Sequence, residues 1–431
     1  MERILSFVGL FGLVAVAWAL SSNRKAFPVR TVLWGVGLQL LMGVIVFSPA
    51  LGQSLFYATD VGVRKLLSFS EDGARFLFQT VQKHEVTTMA ADGTITTEFI
   101  QGDVAPAMKT VAFWILPSVI FFSALMAVAY HYGLMQRMVR AFASLMRRTM
   151  GTSGAESLSA AANIFFGQTE SPLVVRPYIN QMTLSELHAI MVGGFATIAG
   201  GVLALYVGML GHIDGIAGHL VTASLMSAPA ALVIAKVLFP ENGEPVTRGH
   251  VEYEVEKIDV NGIDALTRGT LEGLKLFWNI AAMLLVFVAV VAMLNAIIGG
   301  IGGLFGLDIS LELILGYLFA PFAYLMGIPA SEAQAVGMLL GKKLVLTELV
   351  AFGDLATMQK STVMALSDRT AVIASYALCG FANFASIGIQ IGGIGGIAPE
   401  RRGDLAKLGV KAMIGGTLAA MMTGAVAGLL Y

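Results

Sequence analysis

Gly167-Gln168-Thr169-Glu170-Ser171-Pro172-Leu173 is a polar, kinked stretch set between two apolar segments of a chain that otherwise suits lipid. A carboxylate beside an amide, two hydroxyls, a glycine and a proline is tolerated in hydrocarbon only where it lines a cavity or a bundle interior, because its desolvation is costly. The flanking segments, 155–166 and 173–179, are too short to cross a hydrocarbon core of about 30 Å, which takes about 20 helical residues. The expected structure is a re-entrant hairpin that enters from the cytoplasm, puts its tip near mid-membrane and returns. The heptapeptide is therefore the first candidate for a binding site.

Composition sets the class. Hydrophobic residues make up 56% of the 431 residues and charged ones 13%, with a mean hydropathy of +0.78, against about a quarter charged in a soluble domain. This is the composition of an all-α polytopic membrane protein. The net charge of -1, with Lys and Arg at segment ends, offers no basic face for nucleic acid. Cys379 is the single cysteine, which excludes an internal disulfide and argues against a thiolate metal site. The 49 glycines suit closely packed membrane helices.

The first apolar run, 4–20, reads as a retained anchor rather than a cleaved signal peptide. Ala15-Val16-Ala17 resembles a cleavage site, but the run continues through Trp18 and Leu20 into Asn23-Arg24-Lys25. A second span covers 29–48, and Arg24, Lys25 and Arg30 place the loop between them in the cytoplasm. From 49 to 109 the chain turns amphipathic, then polar, as expected of an interfacial helix followed by an external loop or hairpin about Asp92-Gly93. The span 110–132 precedes Arg137, Arg140, Arg147 and Arg148, an inside cluster. After the first hairpin, 190–210 goes outward, interrupted by Gly193-Gly194, Thr197 and Gly200-Gly201. The span 217–239 returns to a charged inside loop, 240–264, and 271–298 goes outward again.

The second half repeats the device. After 311–326 come two short segments, 333–340 and 349–355, with Gly341-Lys342-Lys343 and Thr347-Glu348 between them, and then 371–394, interrupted by Asn383, Ser386 and a glycine-rich run. Interrupted short segments at matching places in two halves point to a transporter site built by inverted repeats. Arg401, Arg402, Lys407 and Lys411, at the start of a last span, 410–430, lie inside only if 311–326 stays at the interface. The expectation is therefore eight transmembrane helices, two re-entrant helical hairpins and interfacial helices, with both termini outside. Residues 1–150 and 266–308 form a scaffold in this reading, and 151–265 and 309–431 the two halves of a transport domain.

Three motifs carry a family resemblance. Residues 167–178, beginning Gly167-Gln168-Thr169-Glu170; the stretch from Gly341-Lys342-Lys343 through Thr347-Glu348-Leu349-Val350-Ala351-Phe352; and Gly380-Phe381-Ala382-Asn383-Phe384-Ala385-Ser386 onward, with Pro399-Glu400-Arg401, resemble the concentrative nucleoside transporters in order and spacing. The departure from the family pattern is Thr347, where the family usually has Asn before the Glu, with Leu349 and Phe352 in place of two aromatics. The resemblance implies a bacterial inner-membrane protein with periplasmic termini that imports nucleosides such as uridine or adenosine, assembles as a homotrimer, and is not an enzyme. It implies that Gln168, Thr169 and Glu170, with Gly167 and Val202, contact the base. Glu348, Asn383 and Ser386 would hold the ribose, and Phe381 would border the pocket. Amide and carboxylate groups suit a base edge, and a carboxylate can accept from two vicinal hydroxyls. The implied coupling ion is sodium, held by the side chains of Asn163 and Thr197 and the carbonyls of Phe166 and Ile198.

Plainer readings stand beside these. Glu170 and Glu348 could cap half-helices, Asn383 and Ser386 could join packed helices, and Phe381 could simply pack. Asn163 could cap a helix while Thr197 bonds back into its own turn. A proton-coupled nucleoside transporter is the nearest alternative; a dicarboxylate carrier would favour Arg or hydroxyl-rich tips. An intramembrane enzyme lacks a nucleophile and base constellation. His84-Glu85 lacks the second His of a zinc-protease motif, and 392–396 reads as a hinge or packing element rather than a phosphate cradle. Lys342 and Lys343 read as helix-end or snorkelling residues.

Overall fold

In hydrocarbon the backbone must satisfy its own hydrogen bonds, so each long apolar run is driven into a helix. The computed structural model describes residues 2–48, 52–78, 83–89, 95–101, 110–248, 259–361 and 366–431. Helices α1 (Glu2–Ala19) and α2 (Val29–Phe47) are followed by the amphipathic α3 (Gly52–Phe78). A small antiparallel pair comes next, β1 (Lys83–Met89) and β2 (Ile95–Gln101), with Met89 opposite Ile95. The expected turn at Asp92-Gly93 and part of the 240–264 loop lie outside the described residues.

One π-turn, Val111–Ile115, leads into α4 (Pro117–His131), and the strongly amphipathic α5 (Leu134–Met150) follows. The first hairpin consists of α6 (Gly154–Ala162) and a 3-10 segment, Ser171–Gln181. Then come α7 (Leu184–Ala196), α8 (Gly200–Met209), α9 (Ile216–Leu238) and the 42-residue α10 (Gly262–Gly303). Helix α11 (Leu311–Leu325) meets α12 (Ala330–Val345) at 118°, so the chain doubles back there. The second hairpin pairs α12 with α13 (Glu348–Lys360). The chain closes with α14 (Asp368–Leu378), α15 (Phe384–Ile397) and α16 (Arg402–Leu430).

Among the described residues seven helical stretches are long and apolar enough to cross a membrane, and they coincide with seven of the eight expected spans. The eighth, 371–394, is divided into α14 and α15 with a break across 379–383. The α7–α8 interruption is narrower than the glycines implied. It is confined to Thr197–Ala199, whereas Gly193-Gly194 lies inside α7 and Gly200-Gly201 begins α8. Those glycines serve close approach, not chain breaking.

The loops expected on the cytoplasmic side gather at one end. Arg30 donates to the carbonyls of Arg148 (2.7 Å) and Thr149 (2.9 Å), Ser22 N–H to Leu238 (2.9 Å), and Arg401 to Ile179, Asn180 and Met182. At the other end Arg3 donates to the Tyr431 carbonyl (2.8 Å) and Arg369 pairs with Glu2 (3.2 Å). The two termini therefore share one end.

The core lies along α9 and α16, whose apolar windows are 89% and 83% buried, while that of α10 is 6% buried. Helix α10 packs chiefly on α4, and α1 and α2 pack on α16 and α9. The α4–α10 contact is close because Gly273 sits where a Cβ would fall 2.7 Å from the Ile120 Cα.

Charges near the end that holds Arg30 and Arg401 fix the hairpin base. Ser153 and Glu156 form a capping box at α6, as Thr183 and Glu186 do at α7, and each satisfies otherwise orphaned helix N–H groups. The buried Lys236 ammonium of α9 pairs with Glu156, donates to Ser185 Oγ at 2.8 Å and reaches Glu241 at 3.2 Å. Lys236→Met would leave Glu156 as an unanswered buried charge and is expected to cost about 3–5 kcal/mol of stability. Adding Glu156→Gln should restore most of it. Unfolding curves of the two detergent-solubilised variants check this, and an unchanged single variant would contradict it.

Candidate substrate and ion site

At the first tip, Gln168 is buried. Its Nε2 donates to Ser386 Oγ at 3.1 Å, and its Oε1 accepts from Gln390 Nε2 at 3.1 Å. This contact needs Gly194 in α7, where a Cβ would lie 2.9 Å from both Gln168 Cβ and Gln390 Nε2. Thr169 donates to Glu170 Oε1 at 3.1 Å, and the Glu170 side chain is exposed. Gly167 leaves room for that carboxylate, since a Cβ there would collide with Glu170 Oε2.

The second tip is organised by Glu348, which begins α13 and is 5% exposed. Its Oε1 accepts from the Tyr206 hydroxyl at 2.8 Å and its Oε2 from Asn383 Nδ2 at 3.1 Å. Two charge-assisted bonds answer a carboxylate that would otherwise be expensive to bury. Tyr206 stacks on Phe352 with centroids 4.3 Å apart. Asn383 is also the N-cap of α15, its Oδ1 accepting from Ser386 N–H at 2.9 Å.

These bonds join the tips. Asn383, Ser386 and Gln390 share one face of α15 by their spacing, so one short helix touches Gln168 on the first hairpin and Glu348 on the second. The path Gln390–Gln168–Ser386–Asn383–Glu348–Tyr206 is continuous. Val202 is buried one turn before Tyr206 on α8, and Phe381 is partly buried in the segment between α14 and α15. Thr169 and Glu170 spend their side-chain hydrogen bond on each other.

Of the expected ion ligands, Asn163 and Thr197 both reach Gly193. Asn163 follows α6 directly, fully buried; its Nδ2 donates to the Ser159 carbonyl at 3.1 Å and its Oδ1 accepts from Ser171 Oγ at 2.7 Å. A Cβ on Gly193 would lie 2.9 Å from that amide nitrogen, and Gly200 N–H donates to the Phe165 carbonyl at 3.1 Å. The α7–α8 break is thus clasped to the first tip. Thr197 does bond back, donating to the Gly193 carbonyl at 2.9 Å, which leaves its oxygen lone pairs free to face a cation. Among the described residues no backbone N–H donates to the carbonyls of Phe166, Thr197 or Ile198. Such a set of neutral oxygens fits a small alkali cation. Clusters of three or more His, Cys, Asp or Glu side chains able to hold a metal are absent among the described residues.

Comparison with known proteins bears on the family and the fold. Family models described as Na+ dependent nucleoside transporter C-terminus, nucleoside recognition, and Na+ dependent nucleoside transporter N-terminus match residues 219–428, 112–213 and 8–81. An uncharacterised transporter of Haemophilus influenzae is 42% identical over 100% of this chain and 98% of its own length. The sodium/nucleoside cotransporter 1 of Mus musculus is 37% identical over 100% of this chain and 64% of its own. The structure of CNTnw in an inward-facing substrate-bound state superposes with a TM-score of 0.87 at 39% identity, covering 100% of this chain and 98% of that one.

The chain belongs to the concentrative nucleoside transporter family.

Membership in this transporter family supports the non-enzyme reading. Within the candidate site, reasoning from sequence missed Tyr206 and Gln390. Gln390 left a signal, as an amide four residues after Ser386 on an apolar helix. Tyr206 left only its place one turn after Val202. Thr347, the departure from the family pattern, makes no capping bond, and its hydroxyl is buried without a partner among the described residues. Tyr206→Phe removes one donor to a buried carboxylate and is expected to weaken nucleoside binding about tenfold or more, the equivalent of about 1.5–3 kcal/mol. Calorimetric titration of purified transporter checks this; unchanged affinity in Tyr206→Phe, with Glu348→Gln still impaired, would remove Tyr206 from the site.

Proposed function

We propose that this protein is a sodium-coupled nucleoside symporter, in which nucleoside and ion bind beside one another at the two tips. The observation that carries the reading is the unbroken hydrogen-bond path from Gln168 to Glu348 through α15. Groups that satisfy each other can exchange those bonds for a ligand's without leaving any buried polar atom unpaired. Glu348 would accept from the two ribose hydroxyls, with Asn383 and Ser386 alongside. Gln168, Thr169 and Glu170, with Gly167 and Val202, would meet the base, and Phe381 would flank it.

Sodium at Asn163, Thr197 and the carbonyls of Phe166 and Ile198 would stiffen the clasp between the first tip and the α7–α8 break. Because Asn163 binds Ser171 beside Glu170, ion binding and tip geometry share a hydrogen bond. That link is the proposed source of coupling.

Packing favours a division of labour somewhat different from the sequence expectation. Helices α4 and α10 pair with each other and would form the fixed frame, while α1 and α2 pack on α9 and α16 and would travel with the hairpins. Eight spans and two hairpins, an inner membrane, periplasmic termini and a homotrimer covering the exposed apolar face of α10 complete the proposal.

Proteoliposomes holding the purified protein are expected to accumulate labelled uridine or adenosine only under an inward sodium gradient, and Glu348→Gln to abolish uptake while leaving the elution profile intact. Uptake driven equally by a proton gradient without sodium would establish the proton-coupled alternative instead. Thr197→Val is expected to raise the sodium concentration for half-maximal uptake about tenfold, by loss of one ligand oxygen; an unshifted sodium curve would remove Thr197 from the ion site.

A further inference from the structure

Two adjacent lysines near the end of α12 are treated very differently by the fold. Lys342 lies at the edge, its ammonium 2.7 Å from Asp354 Oδ2 and 3.4 Å from Glu312 Oε1. Lys343 is 1% exposed, and among the described residues its hydrogen-bond acceptor is the carbonyl oxygen of Ala377, at 2.9 Å, with no carboxylate in ion-pair reach. An ammonium buried this way is costly unless something answers its charge.

Ala377 lies in the last turn of α14, where carbonyls lack intrahelical partners and the helix dipole is negative. Cys379 N–H serves the carbonyls of Ser375 and Tyr376, which leaves that of Ala377 to Lys343. The lysine therefore answers the carboxyl end of a half-helix at the break that leads to Asn383.

The first half has the matching arrangement with different chemistry. There the residue that ends α6, Asn163, meets the last turn of α7 at Gly193, beside the break at Thr197. In each half, the end of the first hairpin limb thus abuts the carboxyl end of the first part of a broken helix. In the first half the position is lined by neutral oxygens; in the second it is filled by an ammonium.

We propose that Lys343 is a tethered cation: it stands in the second repeat where the first repeat takes a free sodium ion, and it limits the pair of repeats to one coupled sodium per nucleoside. This rests on the sodium reading above. Lys343 acts as a positioning residue, holding the α14 end and through it the Asn383 segment, without touching the nucleoside.

The test is the sodium dependence and coupling ratio of nucleoside flux in proteoliposomes, the ratio read from the reversal voltage, for the wild type, Lys343→Arg and Lys343→Met. The wild type is expected at a ratio of one, and Lys343→Arg to keep both the ratio and the sodium activation curve. Lys343→Met is expected to lose uptake about tenfold or more at the sodium concentration that half-saturates the wild type. Raising sodium should recover it along a steeper curve, as a second mobile ion takes the vacated position. A wild-type ratio of two, a Lys343→Met curve superimposable on the wild type, or a loss that no sodium concentration restores would each overturn the proposal. Should Lys343→Met fail to fold, Lys343→Gln is measured in its place, with the same outcomes for and against. Failure of the underlying sodium reading looks different, as wild-type uptake indifferent to sodium.

Discussion

A carboxylate held inside a membrane protein must be answered by donors, and the way Glu348 is answered organises the structure around it. Tyr206 comes from the second part of one broken helix and Asn383 from the start of the second part of another. Both helices must stop and restart for these donors to reach the same carboxylate. The breaks across 197–199 and 379–383 are therefore the structural cost of building a polar centre where hydrocarbon surrounds the protein. Asn383 serves twice, capping α15 with its oxygen and holding Glu348 with its nitrogen.

The same constraint explains the glycines. Gly193 and Gly194 let α7 approach Asn163 and Gln168 so closely that a methyl group would collide with either. The first hairpin is in this way pressed against the broken helix that follows it, with Asn163 and Thr197 both at Gly193 and Gly200 N–H bonded to the Phe165 carbonyl. Further out, the capping boxes at α6 and α7 and the buried Lys236–Glu156 pair hold the hairpin base to α9. Tips, broken helices and base are thus tied together, and α4, the main partner of α10, packs on α8 of that assembly.

Much of this was legible in the sequence because its cause is local. Polar residues inside apolar runs, as in 167–173 and 347–348, are tolerated only in a cavity or a bundle interior, and both stretches lie at hairpin tips. Span positions followed from hydropathy, and the basic loops that hold Arg30, Arg148 and Arg401 gather at one end. What the sequence concealed depends on contacts between distant segments. Tyr206 lies 142 positions from Glu348 and looks like any aromatic in an apolar helix. Gln168 and Gln390 meet across 222 positions. The glycine pair at 193–194 resembled a helix break, since local propensity cannot tell a break from a close contact. Packing likewise placed α1 and α2 against α9 and α16, a relation that segment order does not encode.

The central claim is that the two tips read the two ends of one nucleoside, with Glu348 on the sugar hydroxyls. Calorimetric binding of uridine and of 2′,3′-dideoxyuridine to the purified wild-type protein in sodium tests it most directly. The account predicts that the dideoxy compound binds weaker by about tenfold or more, since a buried carboxylate loses hydrogen bonds it would otherwise gain. Equal affinity for the two compounds would contradict it.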